Sequence, residues 1–300
     1  MDFVHVTDLG RDGLLEVLET ARRVKEDPAS VAGRHAGLRI GLFFEKPSTR
    51  TRVSCEVASV DLGAHPLVLK QDEVGLGKRE SVEDVARVLD RYLDVLAFRV
   101  FDHRNLVALA EYAGAPVVNL LSDLEHPCQA LADLQTLAEH KPLSGQTVAF
   151  IGDGNNVCHS LMLAGAMAGV SLRVAGPPGH EPSPEVVARA REIAVDGAEI
   201  VVTDDPGAAV RGADAVYTDV WASMGQEEEA AERRRRFEPY RVDETLFGLA
   251  AEDAIFLHCL PAHRGDEVTD GVADHARSRI FDQAENRMHA FKALLLQLLG

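Results

Sequence analysis

The sequence is poor in cysteine, in aromatic residues and in positive charge. Its 300 residues include four cysteines and one tryptophan, and only 5% are aromatic. The cysteines lie in or beside apolar segments and show no Cys-X-X-Cys spacing, which predicts free thiols in a reducing compartment and no disulfide framework. Acidic residues outnumber basic ones by 48 to 31, and the resulting net charge of −17 argues against nucleic acid as a partner.

Long hydrophobic runs are also missing. No window approaches the roughly 18 uninterrupted apolar residues of a membrane span, and the first residues lack the basic and apolar segments of a secretion signal. We therefore expect a cytoplasmic protein with no membrane partner. The chain is 46% apolar, so its 300 residues are enough for two domains, each with its own core.

Short β-rich runs alternate with segments of helical period along nearly the whole chain. This alternation predicts an α/β protein with two doubly wound domains, each a parallel sheet covered by helices on both faces. A loop-like composition near residue 140 divides the chain into domains 1–140 and 141–283. The last segment, 284–300, has apolar residues at helical spacing and is predicted to pack back on the first domain. The nine predicted strands span residues 38–44, 66–70, 94–99, 116–120, 146–151, 171–175, 199–203, 214–219 and 254–258.

A polar run stands where the first strand should become a helix. Ser48, Thr49 and Thr51 supply hydroxyl donors, and either Arg50 or Arg52 supplies a guanidinium fork that can grip two oxygens. A helix start adds unpaired N–H groups and the positive end of the helix dipole. Helix capping explains the serine and the first threonine but not two arginines on one turn, so the run predicts a phosphate site.

Two further polar groups follow strands of the first domain. His126 and Gln129 lie three residues apart at a helix entry, where they could hold a carbonyl oxygen and an amide. A capping role for His126 is an equally good interpretation. Arg99 ends the strand 94–99, so it either covers apolar surface with its stem or reaches an anion.

The strand 146–151 runs into a glycine-rich turn that superficially resembles a dinucleotide fingerprint. Gly152 and Gly154 fit that pattern, but Val157 occupies the third glycine position and no acid follows the next strand. Asn155 and Asn156 instead indicate a site for a polar small molecule, although asparagine also caps helices. A nicotinamide-dependent oxidoreductase is therefore the rival from another enzyme class.

The strand 214–219 ends in Asp219, close to Trp221 and to a Ser-Met-Gly loop at residues 223–225. Parallel sheets bind ligands beyond the carboxyl ends of their strands. A carboxylate at this position is suited to an ammonium group.

Two other clusters are interpreted as structural. His258, Cys259 and His263 supply three zinc ligands without a clear fourth, so we expect no metal there. The glutamates at 227–229 and the arginines at 233–236 follow the helix dipole and sit four apart, which predicts a solvated, salt-bridged helix.

Five segments, in order along the chain, resemble the aspartate/ornithine carbamoyltransferase family. The resemblance covers the whole chain and implies a first domain for carbamoyl phosphate, a second for L-ornithine, no cofactor, and a homotrimer with active sites between subunits. It also implies carbamoyl transfer to the δ-amine of ornithine, giving L-citrulline and phosphate. The segments are residues 48–52, 126–129, 219–225, 258–261 and 285–287.

The resemblance also assigns roles to individual residues. The residues that match carbamoyl phosphate-binding positions are Ser48, Thr49, Arg50, Thr51, Arg99, His126, Gln129, Cys259, Leu260 and Arg287. Those that match ornithine-binding positions are Asn156, Asp219, Ser223 and Met224, with Asn155 adjoining them. The residues expected to act in catalysis are Arg50, Arg99, His126, Asp219 and Cys259.

One position departs from the family pattern. Many members carry glutamine or histidine as a contact lent by a neighbouring subunit, whereas this chain has Gly75 there, with Lys78 or Arg79 as candidates to replace it. Two alternatives within the fold stay open: a non-catalytic anion-binding protein, and a carbamoyltransferase for another amine such as putrescine or acetylornithine. The Ser-Met-Gly loop favours ornithine.

Overall fold

The computed structural model describes residues 1–222 and 230–300, which form two compact units. Unit 1 comprises Met1–Gln135 and Glu285–Gly300, and unit 2 comprises Thr136–Ala284. Ser223 and Met224 lie outside the described residues. Within the described part of the chain, no helix is both long and apolar enough to span a bilayer.

Unit 1 is built on a four-stranded parallel sheet. Its strands are β1 (Arg39–Phe44), β2 (His65–Lys70), β3 (Val95–Arg99) and β4 (Val117–Leu121), in the spatial order β2-β1-β3-β4. The direction of winding therefore changes between β1 and β3, and such a switch point is where open α/β sheets bind ligands. The helices are α1 (Gly10–Glu26), α2 (Thr49–Asp61), α3 (Gln71–Val74), α4 (Val82–Leu89), α5 (His103–Tyr112) and α6 (Pro127–His140).

Unit 2 is built on a five-stranded parallel sheet. Its strands are β5 (Thr147–Ile151), β6 (Ser171–Ala175), β7 (Ile200–Thr203), β8 (Ala215–Thr218) and β9 (Ile255–His258), in the order β7-β6-β5-β8-β9. The switch point lies between β5 and β8. The helices are α7 (Asn156–Ala168), α8 (Pro184–Ile193), α9 (Pro206–Val210), α10 (Ala230–Phe237), α11 (Glu244–Phe247) and α12 (Asp270–Ala273). Both parallel sheets, and with them the predicted fold class, are confirmed.

The last helix, α13 (Ile280–Leu299), starts earlier than predicted and makes polar contacts within unit 1. The buried ammonium of Lys292 pairs with Asp61 at the end of α2. Lys25 of α1 donates to Asn286 Oδ1 over 2.8 Å. The prediction that the final segment packs back on the first domain is confirmed, and the helix is anchored on both sides of Arg287.

Helix α2 forms as predicted, but its valines lie on the exposed side. Val53, Val57 and Val60 are 51%, 40% and 61% exposed, whereas Cys55 and Ala58 are buried. Apolar residues at helical spacing therefore identified the helix but not its buried face. The valines leave an apolar stripe on the helix that starts at the predicted phosphate site.

The arginine-rich segment is only partly the solvated helix that its charge pattern predicts. Arg236 is exposed and pairs with Glu232 in α10, as expected. The prediction is wrong for Arg233, which is buried and pairs with Asp153 in the turn after β5. The glutamates at 227–229 lie outside the described residues.

Candidate active site

The predicted phosphate-binding run forms the N-terminus of α2, directly beyond β1. Ser48 caps the helix: its Oγ accepts from the Thr51 amide over 3.4 Å and lies 3.1 Å from Thr51 Oγ1. Thr49 is exposed and Arg50, in the first turn, is half-buried. The run therefore combines a helix N-terminus, a hydroxyl pair and a guanidinium at the switch point of the sheet, where an anion is stabilised.

The two arginines of this turn differ in what they contact. Arg52 Nε donates to Glu56 Oε1 over 2.9 Å, one turn further along α2, and the Arg52 side chain is half-exposed. This is the i, i+4 ion pair of a solvated helix face. Of the two candidates that the sequence left open, Arg52 is thus engaged in an ion pair on the helix surface, which favours Arg50 as the phosphate ligand.

Arg287, on α13, connects the segments of unit 1 that carry predicted site residues. Its Nη2 donates to Thr51 Oγ1 over 2.8 Å, and its Nη1 donates to Gln129 Oε1 over 2.8 Å. The same Nη1 lies 3.5 Å from His126 Nε2. One guanidinium thus holds the start of α2 and the start of α6 in a fixed geometry.

Two buried arginines make this part of unit 1 electropositive. His126, Arg287 and Arg99 are only 4%, 6% and 7% exposed. Burial, together with the nearby charges of Arg287 and Arg99, holds the pKa of His126 well below its ordinary value. The imidazole is therefore neutral near pH 7. Because its Nε2 faces an arginine N–H, the geometry favours the tautomer that carries its proton on Nδ1.

Thr51 and Gln129 are fully buried. Gln129 uses its Oε1 for Arg287, and its Nε2 donates to Asp133 Oδ1 over 2.8 Å. Both side chains are therefore bonded to other groups of unit 1 in this structure. They hold Arg287 in place, a role that spacing in the sequence did not indicate.

In unit 2, the predicted carboxylate lies at the centre of a hydrogen-bonded group beyond β8. Asp219 Oδ1 accepts from Cys259 Sγ over 3.0 Å and from the Val220 amide over 2.8 Å. Asp219 Oδ2 accepts from Asn155 Nδ2 over 2.8 Å. The ends of β5, β8 and β9 thus converge on one buried carboxylate, which is suited to a cationic ligand.

Asn155, which adjoins the predicted ornithine-binding residue Asn156, makes this contact with Asp219. The other end of its carboxamide caps α7, with Oδ1 accepting from the amides of Val157 and Cys158 over 3.0 and 3.2 Å. The capping interpretation of this asparagine is therefore correct, and its site role stays a prediction. Asn156 is the first residue of α7 and is half-buried.

The glycine-rich turn after β5 does not have the open surface of a dinucleotide site. A Cβ on Gly154 would lie 2.2 Å from the Pro182 nitrogen, and the Gly154 amide already donates to His180 O over 2.9 Å. The backbone of 180–182 thus occupies the space that a pyrophosphate needs over such a glycine. Gly154 serves close chain packing, which counts against the oxidoreductase alternative.

A buried histidine and glutamate shape the loop after β9. His258 Nδ1 accepts from the Leu260 amide over 2.9 Å, so the ring proton is on Nε2, which donates to Glu267 Oε1 over 3.2 Å. Gln283 Oε1 accepts from the His258 amide over 2.9 Å. Together these contacts orient Cys259 toward Asp219. Sequence reasoning missed Glu267 and Gln283, because no motif marks them and they lie 9 and 25 residues after their partner His258.

The three side chains that lie close enough together to bind a metal ion are not the three that the sequence suggested. Ligand atoms of Asp219, His258 and Cys259 lie within 4.8 Å of one another, whereas the side chain of His263 is 56% exposed. The donor atoms of this trio are already engaged in the bonds to Leu260, Glu267 and Asn155 given above. The absence of a metal remains a prediction.

Two family descriptions match the chain. Residues 1–139 match "Aspartate/ornithine carbamoyltransferase, carbamoyl-P binding domain", and residues 144–298 match "Aspartate/ornithine carbamoyltransferase, Asp/Orn binding domain". Together the two matches span almost the whole sequence.

Curated relatives and solved structures are similar over their full length. An ornithine carbamoyltransferase of Parasynechococcus marenigrum is 52% identical, with 100% of this chain and 94% of the relative covered. One of Acidothermus cellulolyticus is 54% identical, with 99% and 96% covered. The structure of the ornithine carbamoyltransferase from Pyrococcus furiosus superposes with a TM-score of 0.96 at 47% identity, covering 100% of this chain and 97% of that one. These findings confirm the resemblance seen in the five segments: the chain belongs to the aspartate/ornithine carbamoyltransferase family.

Proposed function

We propose that the protein transfers the carbamoyl group of carbamoyl phosphate to the δ-amine of L-ornithine, giving L-citrulline and inorganic phosphate. The observation that carries this proposal is the pair of buried arginines beside a neutral His126 in the unit that matches a carbamoyl-phosphate-binding domain. That combination suits a dianion attached to a carbonyl group. The relatives named above are ornithine carbamoyltransferases, and one from Campylobacter jejuni is named anabolic, which supports a place in arginine biosynthesis.

The phosphate group is assigned to the start of α2. Ser48, Thr49 and Thr51 line the helix N-terminus, where amides and hydroxyls donate to anionic oxygens. Arg50 and Arg99 add guanidinium groups that can bind two oxygens each. As the carbon–oxygen bond breaks, negative charge grows on the leaving phosphate, and these groups stabilise it.

The carbamoyl end is assigned to the Arg287 network. His126, neutral and protonated on Nδ1, donates to the carbonyl oxygen as the amine attacks. Arg287 adds positive charge, and Gln129 holds that guanidinium while offering a carboxamide to the carbamoyl NH₂. Cys259 and Leu260, from the loop after β9, complete the assigned carbamoyl contacts.

Ornithine is assigned to unit 2, the unit that matches an Asp/Orn binding domain. Asp219 accepts from the α-ammonium group, and Asn156 binds the α-carboxylate. Ser223 and Met224 keep their predicted ornithine-binding role. Holding both α-groups leaves the δ-amine directed at the carbonyl carbon.

The reaction itself needs no covalent enzyme intermediate. The lone pair of the neutral δ-nitrogen forms a bond to the carbonyl carbon, the carbon–oxygen bond to phosphate breaks, and the nitrogen loses one proton, which the departing phosphate accepts. The protein supplies positioning and fixed positive charge, which together lower the barrier. No metal or cofactor is assigned a step.

The proposal includes a homo-oligomer, specifically a trimer, in the cytoplasm, without nucleic acid or membrane partners. The exposed stripe formed by Val53, Val57 and Val60 supports a protein contact next to the phosphate site. A neighbouring subunit would then lend a residue to the site, despite Gly75. Light scattering after gel filtration measures the assembly, and a monomer at micromolar concentration would contradict it.

Citrulline formation by the purified protein tests the proposed function. Carbamoyl phosphate is supplied with L-ornithine, acetylornithine, putrescine or L-aspartate in parallel. We expect turnover with ornithine at least about a hundredfold above that with the other amines. Acetylornithine lacks the free α-ammonium group, putrescine lacks the α-carboxylate, and L-aspartate lacks the δ-amine. Turnover with putrescine instead would identify a carbamoyltransferase for another amine. Binding of carbamoyl phosphate without turnover of any amine would identify a non-catalytic protein.

A further inference from the structure

A chain of hydrogen-bonded side chains joins the N-terminal segment of unit 1 to the turn before His126. His5 Nδ1 lies 2.7 Å from Glu125 Oε1, and His5 Nε2 lies 3.2 Å from His103 Nε2. His103 Nδ1 lies 2.8 Å from Ser122 Oγ. We call His5, His103, Ser122 and Glu125 the histidine clasp. None of the four belongs to the site residues assigned above.

The histidine clasp closes on a tight turn. The Ser122 amide donates to Glu125 O over 2.8 Å, and the Glu125 amide donates to Ser122 Oγ over 3.2 Å. Glu125 also accepts from the Val6 amide over 3.0 Å. Because His126 directly follows Glu125, the direction of the His126 side chain depends on this turn.

Burial makes these contacts costly to lose. Ser122 is fully buried, and Glu125 and His103 are 2% and 8% exposed, while the His5 side chain is 37% exposed. A buried carboxylate that loses its donors carries an uncompensated charge in a medium that solvates it poorly. His5 therefore connects a buried polar turn to the protein surface.

The two histidines can share one hydrogen between their Nε2 atoms but not two. If His5 is doubly protonated, it donates to both Glu125 and His103, and His103 donates to Ser122. If both rings are neutral, His103 donates to His5 and accepts from the Ser122 hydroxyl, so these two bonds reverse direction while His5 still donates to Glu125. A second added proton would place two N–H groups against each other, and the histidine clasp would open.

The surrounding charges determine the pH at which the second proton binds. The hydrogen bond to Glu125 raises the pKa of His5, helped by the charges of Glu125 and Asp8. Burial and the neighbouring His5 lower the pKa of His103, although Glu125, Asp123 and Asp102 oppose this. The pair therefore keeps its shared hydrogen through neutral pH and opens only in acid.

We propose that His5, His103 and Glu125 are positioning residues for carbamoyl phosphate, because they lock the turn that aims His126. This inference rests on the proposed function, since it concerns the donor substrate of that reaction. The three residues act through His126 and do not contact the substrate. The histidine clasp also ties the first residues of the chain to its donor site.

Calorimetric binding of carbamoyl phosphate without ornithine tests the proposal independently of turnover. We expect His5→Leu to weaken binding about tenfold, because the Glu125 carboxylate loses a donor and the turn relaxes. His5→Asn places an amide donor where Nδ1 stood, so binding should return to within about threefold of the unmodified protein. The matched control is His65→Leu, an exposed histidine at the start of β2, which should change nothing.

Two further measurements separate positioning from general stability. With ornithine present, His5→Leu should raise the KM for carbamoyl phosphate while leaving the KM for ornithine within about twofold. Below pH 6.5, binding by the unmodified protein should weaken more steeply than binding by His103→Asn, which has no second ring to protonate. The titration of the ligand itself is common to both proteins and cancels in this comparison.

The outcomes are distinguishable from failure of the proposed function. If the unmodified protein binds carbamoyl phosphate but makes no citrulline, the proposed function fails while the binding series still tests the histidine clasp. If His5→Leu binds carbamoyl phosphate as tightly as His65→Leu does, or if both KM values rise together, the positioning role is overturned. Identical acid dependence in His103→Asn and the unmodified protein overturns the shared-hydrogen argument.

Discussion

The two units place opposite charges at equivalent points of similar sheets. At the switch point of unit 1, Arg99 and Arg287 are buried beside a neutral histidine. At the switch point of unit 2, a buried carboxylate, Asp219, accepts hydrogen bonds from Asn155 and Cys259. The same architecture is therefore suited to an anion in one unit and to a cation in the other, and the residues after the strands determine the sign of the charge.

The difference extends to how each site is held together. In unit 1, Arg287 comes from α13 and lies 158 residues from Gln129 along the chain. In unit 2, Asn155 and Cys259, whose side chains donate to Asp219, both follow strands of the unit's own sheet. The cationic site is thus assembled by one distant helix, whereas the carboxylate site is assembled by the sheet.

The largest expected effect is a pH dependence that comes from the ornithine bound by unit 2 and not from His126 of unit 1. We expect the rate with limiting ornithine to rise about tenfold per pH unit from pH 6 to about pH 9, because only the neutral δ-amine attacks and a free alkyl amine has a pKa near 10. His126 adds no second pH-dependent step to this rate profile, since its pKa is lowered. A flat profile of kcat/KM for ornithine would contradict the proposed attack.

The next largest effect tests the proposed phosphate site of unit 1. Arg50→Leu should lower kcat/KM for carbamoyl phosphate at least about a hundredfold, because a charge-assisted contact to the leaving phosphate is lost. Arg52→Leu is the matched control: it lies on the same helical turn but pairs with Glu56. Equal losses in both variants would show that the effect is one of helix charge and not of the assigned contact.

A smaller effect tests the carboxylate site of unit 2. Asp219→Asn should raise the KM for ornithine about tenfold or more, because a carboxamide cannot neutralise the α-ammonium group, while binding of carbamoyl phosphate alone should be unchanged. Cys259→Ser retains a hydrogen-bond donor to Asp219 and should affect the KM for ornithine less. Weakened binding of carbamoyl phosphate in Asp219→Asn would remove the division of substrates between the units.

The smallest effect concerns stability. Because the pKa of His126 is lowered, the unfolded chain takes up a proton there below pH 6.5 and the folded chain does not. Its contribution to stability is therefore lost as pH falls below 6.5, by up to about 1.4 kcal/mol per pH unit. His5 has the opposite sign: its pKa is raised, so its contribution is lost as pH rises above 6.5.

Hydrogen exchange measured by mass spectrometry at pH 5.5 and 6.5 checks the His126 contribution in peptides of unit 1. The pH dependence of protection should be weaker in His126→Asn than in the unmodified protein. The only tryptophan, Trp221, lies in unit 2, so its fluorescence provides an internal control that should not respond. A tryptophan signal that follows the same shift would contradict an effect confined to unit 1.

Much of the fold was predictable because each element carries its own signal. All nine predicted strands are present, since strands buried on both faces read as short apolar runs. The four-residue helices α3, α11 and α12 were missed because one turn is too short to show a period. The exposed valines of α2 were not anticipated, since spacing defines a stripe without saying which side is covered.

The positions of several candidate site residues at strand ends were predictable from the sequence, but their contacts were not. Strand ends marked Arg99, Asp219 and Cys259, because parallel sheets present their carboxyl ends to ligands. The buried partner Glu267 carries no motif, and the role of Gln129 in holding Arg287 depends on two segments far apart in sequence. Such pairings follow from tertiary packing, which local pattern does not encode.

The place of Arg287 on the last helix has a consequence for synthesis on the ribosome. Thr51 and Gln129 leave the exit tunnel long before their shared partner is translated, so the donor half of the protein stays unfinished while the whole of unit 2 is being made. Contacts of such long sequence separation are slow to form, and the nascent first unit must keep its polar groups solvated until then. A stalled or shortened chain would therefore release a protein with sheets in place but without the guanidinium that joins the starts of α2 and α6.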